Sequence, residues 1–145
     1  MPDAPVFSII GHGTPQYLEA VRLRDEILRN PEGRVTTPED MVAERACTHV
    51  VGTIGGEVVA TCLLVEELAK VRMKRVAVAV GSQGQGIGST MLEFCERHGR
   101  SLGAIELYAH ARETAVGFYV RAGYVTKGAY FSEVGIPHLL VRKPL

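Results

Sequence analysis

Apolar positions recur along the chain with two spacings, and the changes between them divide it into strands and helices. Short continuous or alternating apolar runs predict strands, whereas apolar residues three or four positions apart predict helices. Seven strands are predicted, over residues 6–10, 49–54, 58–65, 71–80, 104–110, 124–131 and 138–142. Helices are predicted after the cap residues Thr14 and Thr37 and over residues 86–101 and 113–121.

The order of these elements predicts a mixed α+β fold. The order is β-α-α-β-β-β-α-β-α-β-β, in which an antiparallel meander leads into a β-α-β unit. Because such crossovers are right-handed, strand 104–110 should lie parallel to strand 71–80. The first helix is predicted to turn its charged residues to solvent: Glu19, Arg22, Arg24 and Arg29.

Composition narrows the classes of protein and partner. A chain of 145 residues suits one domain, residues 1–145, and 46% hydrophobic residues with a mean hydropathy of +0.10 argue against disorder. Lys plus Arg and Asp plus Glu both number 16, so the net charge is zero, which argues against nucleic acid or an anionic membrane as partner. The nearly apolar run 58–65 is far too short to span a bilayer.

The N-terminus and the cysteines suggest a reducing compartment. Met1-Pro2-Asp3 lacks the basic start of a secretory signal, so we expect a cytoplasmic location. Cys47, Cys62 and Cys95 are widely spaced and odd in number, which predicts small buried hydrophobic residues rather than disulfides or a metal site.

The stretch 76–91, VAVAVGSQGQGIGSTM, joins a strand to the third helix through a glycine-rich turn. Its five small apolar residues, 76–80, predict a buried strand. Glycines let a ligand approach the backbone closely, and the free N–H groups of a first helical turn point at anionic oxygens. The sequence therefore predicts a phosphate-binding turn.

Two common phosphate loops do not fit this turn. A P-loop requires Lys and then Ser or Thr after its last glycine, but Gly86 is followed by Ile and Gly. A dinucleotide fingerprint requires G-x-G-x-x-G, and its third glycine would fall on Ser89 counting from Gly84, or on Met91 counting from Gly86.

A third pattern fits at every fixed position. Gln83, Gly86 and Gly88 resemble the Arg/Gln-x-x-Gly-x-Gly/Ala pyrophosphate loop of the GNAT N-acetyltransferases. The preceding Val-Ala-Val run is similar to the central strand of that family. Val80 departs from the proline that is usual at the end of that strand, and Gln83 replaces the usual arginine.

A second motif, downstream, strengthens the resemblance. Residues 115–124, Ala-x-x-Phe-Tyr-x-x-x-Gly-Tyr, resemble the signature that follows the fifth strand in GNAT acetyltransferases. The tail 133–138 also resembles an ending found in some small bacterial-type members. Two motifs in the family's order indicate a small, single-domain GNAT N-acetyltransferase.

The resemblance implies the GNAT fold, in which the fourth and fifth strands splay apart at a bulge, here between 76–80 and 107–110. It implies acetyl-CoA as cofactor, with the pantetheine arm paired to an exposed strand edge and the pyrophosphate on the glycine-rich turn. The predicted cofactor-binding residues are Val76, Val78, Gln83, Gly84, Gln85, Gly86, Ile87, Gly88, Ser89, Arg112 and Phe118. Arg112 stands where the family often has asparagine, and it can donate but not accept.

The resemblance further implies that an acetyl group is transferred to a primary amine of a small molecule or peptide, by direct attack through a tetrahedral intermediate. The backbone N–H near Val78 would stabilise the oxyanion. Tyr119 is the family-matched acid for the leaving thiolate, since the pKa of a phenol, about 10, lies near that of a thiol, about 8.5. Glu133 is the predicted base, with His110, His138 or a chain of water molecules as alternatives.

Two classes of function stay open: an N-acetyltransferase, favoured by Tyr119, and a GNAT-fold module that binds CoA without efficient turnover, favoured by Arg112. The first helix and residues 33–44 are expected to shape the acceptor pocket, where Arg22 and Arg34 are candidates for binding a carboxylate. Because C-terminal strands often pair in this family, a homodimer is an open alternative to a monomer.

Overall fold

The computed structural model describes residues 4–145; residues 1–3, on which the expectation about secretion depends, lie outside the described part. The strands are β1 (Val6–Ile10), β2 (Thr48–Ile54), β3 (Glu57–Glu67), β4 (Lys70–Val78), β5 (Glu106–Arg112), β6 (Val125–Glu133) and β7 (Ile136–Pro144). The α-helices are α1 (Pro15–Arg24), α2 (Pro38–Ala43), α3 (Ile87–Ser101) and α4 (Val116–Arg121). A π-helical turn (Asp25–Arg29) extends α1, and 3-10 turns cover Asn30–Glu32, Val80–Ser82 and Glu113–Ala115. The predicted order of strands and α-helices is confirmed.

The seven strands form one mixed sheet in the order β1-β2-β3-β4-β5-β7-β6. Only β4 and β5 run parallel, as the crossover rule predicts. Their pairing extends from Lys70 opposite Glu106 to Met73 opposite Ala109, beyond which they separate, while β5 stays paired to β7. The predicted splay is confirmed, but it begins at residue 74 on β4, earlier than expected, and at residue 110 on β5, later than expected.

A bulge in β4 lies at the start of this opening. Leu63 pairs with Lys74 and Thr61 pairs with Ala77, so two steps along β3 match three steps along β4. Arg75 lies in the bulge with a φ of 55°. In a regular strand, residues three positions apart lie on opposite faces of the sheet. The extra residue of the bulge reverses this alternation, so Lys74 and Ala77 lie on the same face.

The two faces of the sheet pack against different helices. The main core lies between the sheet and helices α3 and α4, and includes Cys62 and Cys95, buried as predicted, whereas Cys47 is only half-buried. A smaller core on the opposite face packs α1 against β2 and β3. The expectation of a buried strand as far as residue 80 is wrong: the last sheet bond is from the Ala79 N–H to the Val59 carbonyl, and Val80 is exposed in a 3-10 turn.

The expectation that α1 turns its arginines to solvent is wrong at two positions. Arg24 is 2% exposed and donates to both carboxylate oxygens of Glu44 at 2.5 Å, and Tyr17 donates to the same carboxylate at 2.8 Å. Arg29 is buried as well and pairs with Asp40 at 3.2 Å. The reason is that α2 and its C-terminal cap residue cover this side of α1.

None of the helices between residues 4 and 145 has both the length and the apolar character needed to cross a bilayer.

Candidate active site

The opening between β4 and β5 leads into a cavity of about 310 Å³. Its walls come from these two strands, the start of α4, the end of the extended α1, and the turn between β6 and β7. It brings together several residues that the sequence predicts for the site: Val76, Arg112, Phe118, Tyr119 and Glu133. His110 and His138, the alternative bases, also line it.

The glycine-rich turn begins α3 without a side-chain cap. Gly84 and Gly86 have φ values of 77° and 79°, which side chains other than glycine adopt only with strain. The first helical hydrogen bond runs from the Thr90 N–H to the Gly86 carbonyl, so the N–H groups of residues 87–89 have no helical acceptor. A Cβ atom at either glycine would meet no atom within 4 Å, so the space beside the turn is open to an anion.

Two contacts tie this turn to the rest of the site. The side chain of Gln83 donates to the Val78 carbonyl at 3.0 Å, which fixes the turn to the end of β4. A Cβ atom at Gly88 would lie 3.1 Å from the ring of Phe118, so the start of α3 packs closely on α4. The two sequence motifs, separate along the chain, therefore meet in space. Gln85 donates to the Gly81 carbonyl within the turn.

Tyr119 is a buried tyrosine that lines the cavity. It is 4% exposed and packs edge to face with Phe118 and Tyr124. The hydroxyls of Tyr17, Tyr108 and Tyr124 each donate to a glutamate, whereas no carboxylate within residues 4–145 accepts from the Tyr119 hydroxyl. Burial raises the pKa of Tyr119 above its ordinary value, so the phenol keeps its proton and can act as a donor.

Glu133 belongs to a cluster with two histidines and an arginine. Its Oε1 lies 3.0 Å from Nδ1 of His110, and its Oε2 lies 3.5 Å from Nε2 of His138. Burial by itself would raise the pKa of Glu133, but the hydrogen bond with His110 and the charges of His138 and Arg72 hold it below its ordinary value. Glu133 is therefore a carboxylate at neutral pH and, taken alone, a weak proton acceptor.

The hydrogen-bond pattern gives the histidines different roles. Nδ1 of His110 lies 2.9 Å from Nη2 of Arg72 and 3.0 Å from Glu133, so it accepts from Arg72 when bare and donates to Glu133 when protonated. Nδ1 of His138 donates to the Ile136 carbonyl at 2.8 Å, so its Nε2 faces Glu133. A proton can therefore be accepted by the cluster of His110, Glu133 and His138 acting together. The role of Glu133 as the base stays a prediction.

Arginine and lysine side chains contribute much of the cavity wall. Arg112 is held by Glu32 at 2.8 Å and by the Leu28 carbonyl at 3.0 Å, and its predicted contact with pantetheine stays a prediction. Arg34 lines the cavity as expected, but Arg22 lies in a separate groove beside the β2–β3 turn. Arg29 lines the cavity as well, although the sequence placed it on the solvent-facing side of the first helix. Three further cations, Arg72, Lys74 and Arg75, come from β4 and are also not among the site residues predicted from the sequence. The signal for them was the run Arg-Met-Lys-Arg inside an otherwise apolar strand.

Comparison with known proteins agrees with this geometry. The acetyltransferase (GNAT) domain model matches residues 31–145. The Bacillus subtilis protein YyaT is 27% identical over 74 residues, which are 51% of this chain and 50% of YyaT. A second protein from the same bacterium is 29% identical over 72 residues, which are 50% of this chain and 49% of that protein. The chain thus aligns with about half the length of the curated relatives it matches.

Solved structures extend the similarity to the whole fold. An acyl-CoA N-acyltransferase from Pseudomonas aeruginosa has a TM-score of 0.77 at 22% identity, over 97% of this chain and 99% of that one. A GNAT family acetyltransferase from Elizabethkingia anophelis, solved with acetyl-CoA bound, has a TM-score of 0.74 at 17% identity, over 99% of both chains. At these identities the likeness establishes the fold.

Proposed function

The chain belongs to the GNAT acetyltransferase family, and on this basis we propose that it transfers an acetyl group from acetyl-CoA to a primary amine of a small molecule or peptide. The observation that carries the proposal is the opening between β4 and β5, where a cavity is lined by Tyr119, a buried tyrosine whose hydroxyl has no carboxylate partner among residues 4–145. A structural tyrosine in such a core would be expected to pair its hydroxyl, as Tyr124 does with Glu96 at 2.9 Å.

The residues at the glycine-rich turn fit a pyrophosphate. The uncapped N–H groups of residues 87–89 and the positive end of α3 attract an anion, and the absence of side chains at Gly84 and Gly86 leaves room for it. The edge of β4 at Val76 and Val78, left by β5, would pair with the amides of the pantetheine arm. When bound, acetyl-CoA supplies the thioester that the amine attacks.

Each remaining step is assigned to a group of this chain. The His110–Glu133–His138 cluster accepts the proton of the attacking amine, directly or through water. The backbone N–H at Val78 would hold the carbonyl oxygen of the thioester. With acetyl-CoA bound, Tyr119 would protonate the departing sulfur, because burial raises the pKa of Tyr119 and the phenol keeps its proton until then.

A direct assay separates this proposal from a module that binds CoA without turnover. Acetyl-CoA is incubated with a panel of primary amines; free CoA is measured with a thiol reagent and acetylated products by mass spectrometry. We expect CoA release that depends on at least one amine and yields its acetylated product. Saturable binding of acetyl-CoA with no amine-dependent release across the panel would favour the binding module.

Binding of acetyl-CoA to the glycine-rich turn predicts a rise in thermal stability. A ligand that binds only the folded state at a hundredfold excess over its Kd stabilises by about 2.7 kcal/mol, or about 5–10 °C for a chain of this size. Gly86→Val should abolish the shift, because its side chain would occupy the open space beside the turn. The measurement is a thermal scan with and without millimolar acetyl-CoA.

Gly103→Val provides a matched control at the other end of α3. Gly103 has a φ of 80°, close to the 79° of Gly86, and its Cβ would also meet no atom within 4 Å. Both variants should lose about 1–2 kcal/mol through left-handed strain, but only Gly86→Val should lose the response to acetyl-CoA. A full shift in Gly86→Val would exclude the turn as the pyrophosphate site.

A further inference from the structure

We propose that the acceptor amine carries an anionic group, a carboxylate or a phosphate, that binds to Lys74 and Arg75. This inference rests on the proposed function and names the class of acceptor within it. It comes from the distribution of charge around the cavity, which is uneven although the whole chain carries no net charge.

The cavity wall is strongly cationic. Glu133 is the acidic residue in that wall. The basic side chains in the same wall, apart from histidines, are Arg29, Arg34, Arg72, Lys74, Arg75 and Arg112. A ligand entering the cavity therefore meets a positive potential, which favours a negatively charged group.

Four of these cations already have a carboxylate within 4.0 Å: Arg29 has Asp40, Arg34 and Arg112 share Glu32, and Arg72 has Glu133. Lys74 and Arg75 differ, since no carboxylate in residues 4–145 lies within salt-bridge distance of either. The Nε of Arg75 is buried and has no hydrogen-bond partner among those residues. Half-buried charges in proteins are normally paired, so these two side chains together are suited to bind an anion.

The surroundings of both side chains disfavour their charge. Burial, followed by the charges of Arg72 and Arg75, lowers the pKa of Lys74. Burial, followed by the charges of Arg29 and Arg24, lowers the pKa of Arg75. An anion placed between Lys74 and Arg75 would relieve this repulsion, so its binding is favoured by both residues together.

The bulge in β4 lies where two consecutive cations line the cavity. In a regular strand, neighbouring side chains point to opposite faces, and Arg75 would point away from Lys74. The bulge inserts one residue between the pairs Leu63–Lys74 and Thr61–Ala77, and both cations line the cavity. The proposed anion site therefore lies at the same irregularity that starts the opening between β4 and β5.

A cationic pocket also suits the chemistry of the amine. Nearby positive charge lowers the pKa of a bound ammonium group and favours the neutral, nucleophilic form. That repulsion weakens binding unless another part of the acceptor is attracted. An acceptor with an anionic group meets both requirements, whereas a polyamine is repelled at every position.

Matched pairs of acceptors test the inference. The carboxylate arm compares amino acids with their amides. The phosphate arm compares glucosamine 6-phosphate with glucosamine, and 2-aminoethyl phosphate with ethanolamine. Spermidine represents the polycations. We expect the best acceptor to be anionic, with a kcat/KM at least about tenfold above that of its neutral partner. The two arms distinguish carboxylate from phosphate. A neutral amine or spermidine as best acceptor would overturn the inference.

Substitutions in the anion site give a second measurement. In Lys74→Gln and Arg75→Gln, the ratio of kcat/KM for the anionic member to that for its neutral partner should fall by about 10- to 100-fold, as expected for a lost charge-assisted hydrogen bond. Lys70→Gln is the control, because Lys70 lies on the same strand but is half-exposed and faces Glu106 at 3.6 Å. It should keep the wild-type ratio. An unchanged ratio in both site variants would exclude Lys74 and Arg75 as the anion site.

Calorimetric titration of the CoA-saturated protein with the same compounds separates this inference from the proposed function. Preferential binding of anionic amines without any acetyl transfer would support the anion site and contradict the proposed activity. Acetyl transfer to neutral amines, without preferential binding of anionic ones, would support the proposed activity and contradict the anion site.

Discussion

Tyr119→Phe should reduce kcat by about 10²–10⁴ while the KM for acetyl-CoA stays near the wild-type value. Tyr119 lines the cavity and its hydroxyl has no carboxylate acceptor in residues 4–145, so removing the hydroxyl takes away a proton donor without leaving a buried carboxylate unsatisfied. The loss of stability should therefore be about 1 kcal/mol or less. Steady-state kinetics with any accepted amine and a urea titration measure the two effects. The kcat defect should narrow at low pH, where water protonates a thiolate more readily.

Tyr124→Phe provides a matched control in the same core. The ring of Tyr124 lies 5.5 Å from that of Tyr119, but its hydroxyl donates to Glu96, which is buried. This variant should lose about 1–3 kcal/mol of stability and keep kcat. Equal kcat in Tyr119→Phe and wild type would make Tyr119 a core residue. A rise in KM alone would make it a binding contact, and the acid would then be water or another side chain.

Glu44→Ala should lower the free energy of unfolding by about 3–5 kcal/mol. Arg24 and Glu44 are both buried, and the substitution leaves the Arg24 guanidinium in the interior without its counter-charge. It also leaves the Tyr17 hydroxyl without its acceptor; in the wild type, burial, followed by the bond to Glu44, raises the pKa of Tyr17 to about 12. The shift in the urea midpoint, followed by circular dichroism, measures the effect.

Two comparisons identify the buried charge as the cause. Glu93→Ala removes an exposed glutamate from α3 and should change stability by less than about 0.5 kcal/mol. The double variant Arg24→Met with Glu44→Leu should be more stable than Glu44→Ala, because it leaves no buried charge unpaired. A loss below about 1 kcal/mol in Glu44→Ala would mean that Arg24 reaches solvent when its partner is removed.

Local signals were sufficient to predict most of the fold. Thr14 accepts from the Tyr17 N–H at the start of α1, and Thr37 forms a capping box with Asp40, so both helix starts follow from residues within one turn. The parallel pairing of β4 and β5 follows from the handedness of the crossover. These features depend on short stretches of sequence or on a general rule of chain topology.

Features that depend on a second element could not be predicted in this way. The periodicity of α1 assigns Arg24 to the polar side, but it does not reveal that Glu44 covers that side. The start of the opening depends on how β4 pairs with β3, because the bulge at Arg75 is defined only by their register. The run Arg-Met-Lys-Arg marks Lys74 and Arg75 as unusual in an apolar strand, but their place in the cavity wall depends on where β4 and β5 separate.

The strand β4 is one residue longer than its pairing with β3 requires. Deleting Arg75 would leave Lys74 opposite Leu63 and Ala77 opposite Thr61, so every neighbouring side chain would keep its face. The shortened strand would lose the local bend that a bulge produces, and with it the separation from β5. Deleting this one residue is therefore compatible with the fold but not with the cavity. The cavity depends on the length of β4 as much as on any side chain in it, so selection on the site would preserve that length.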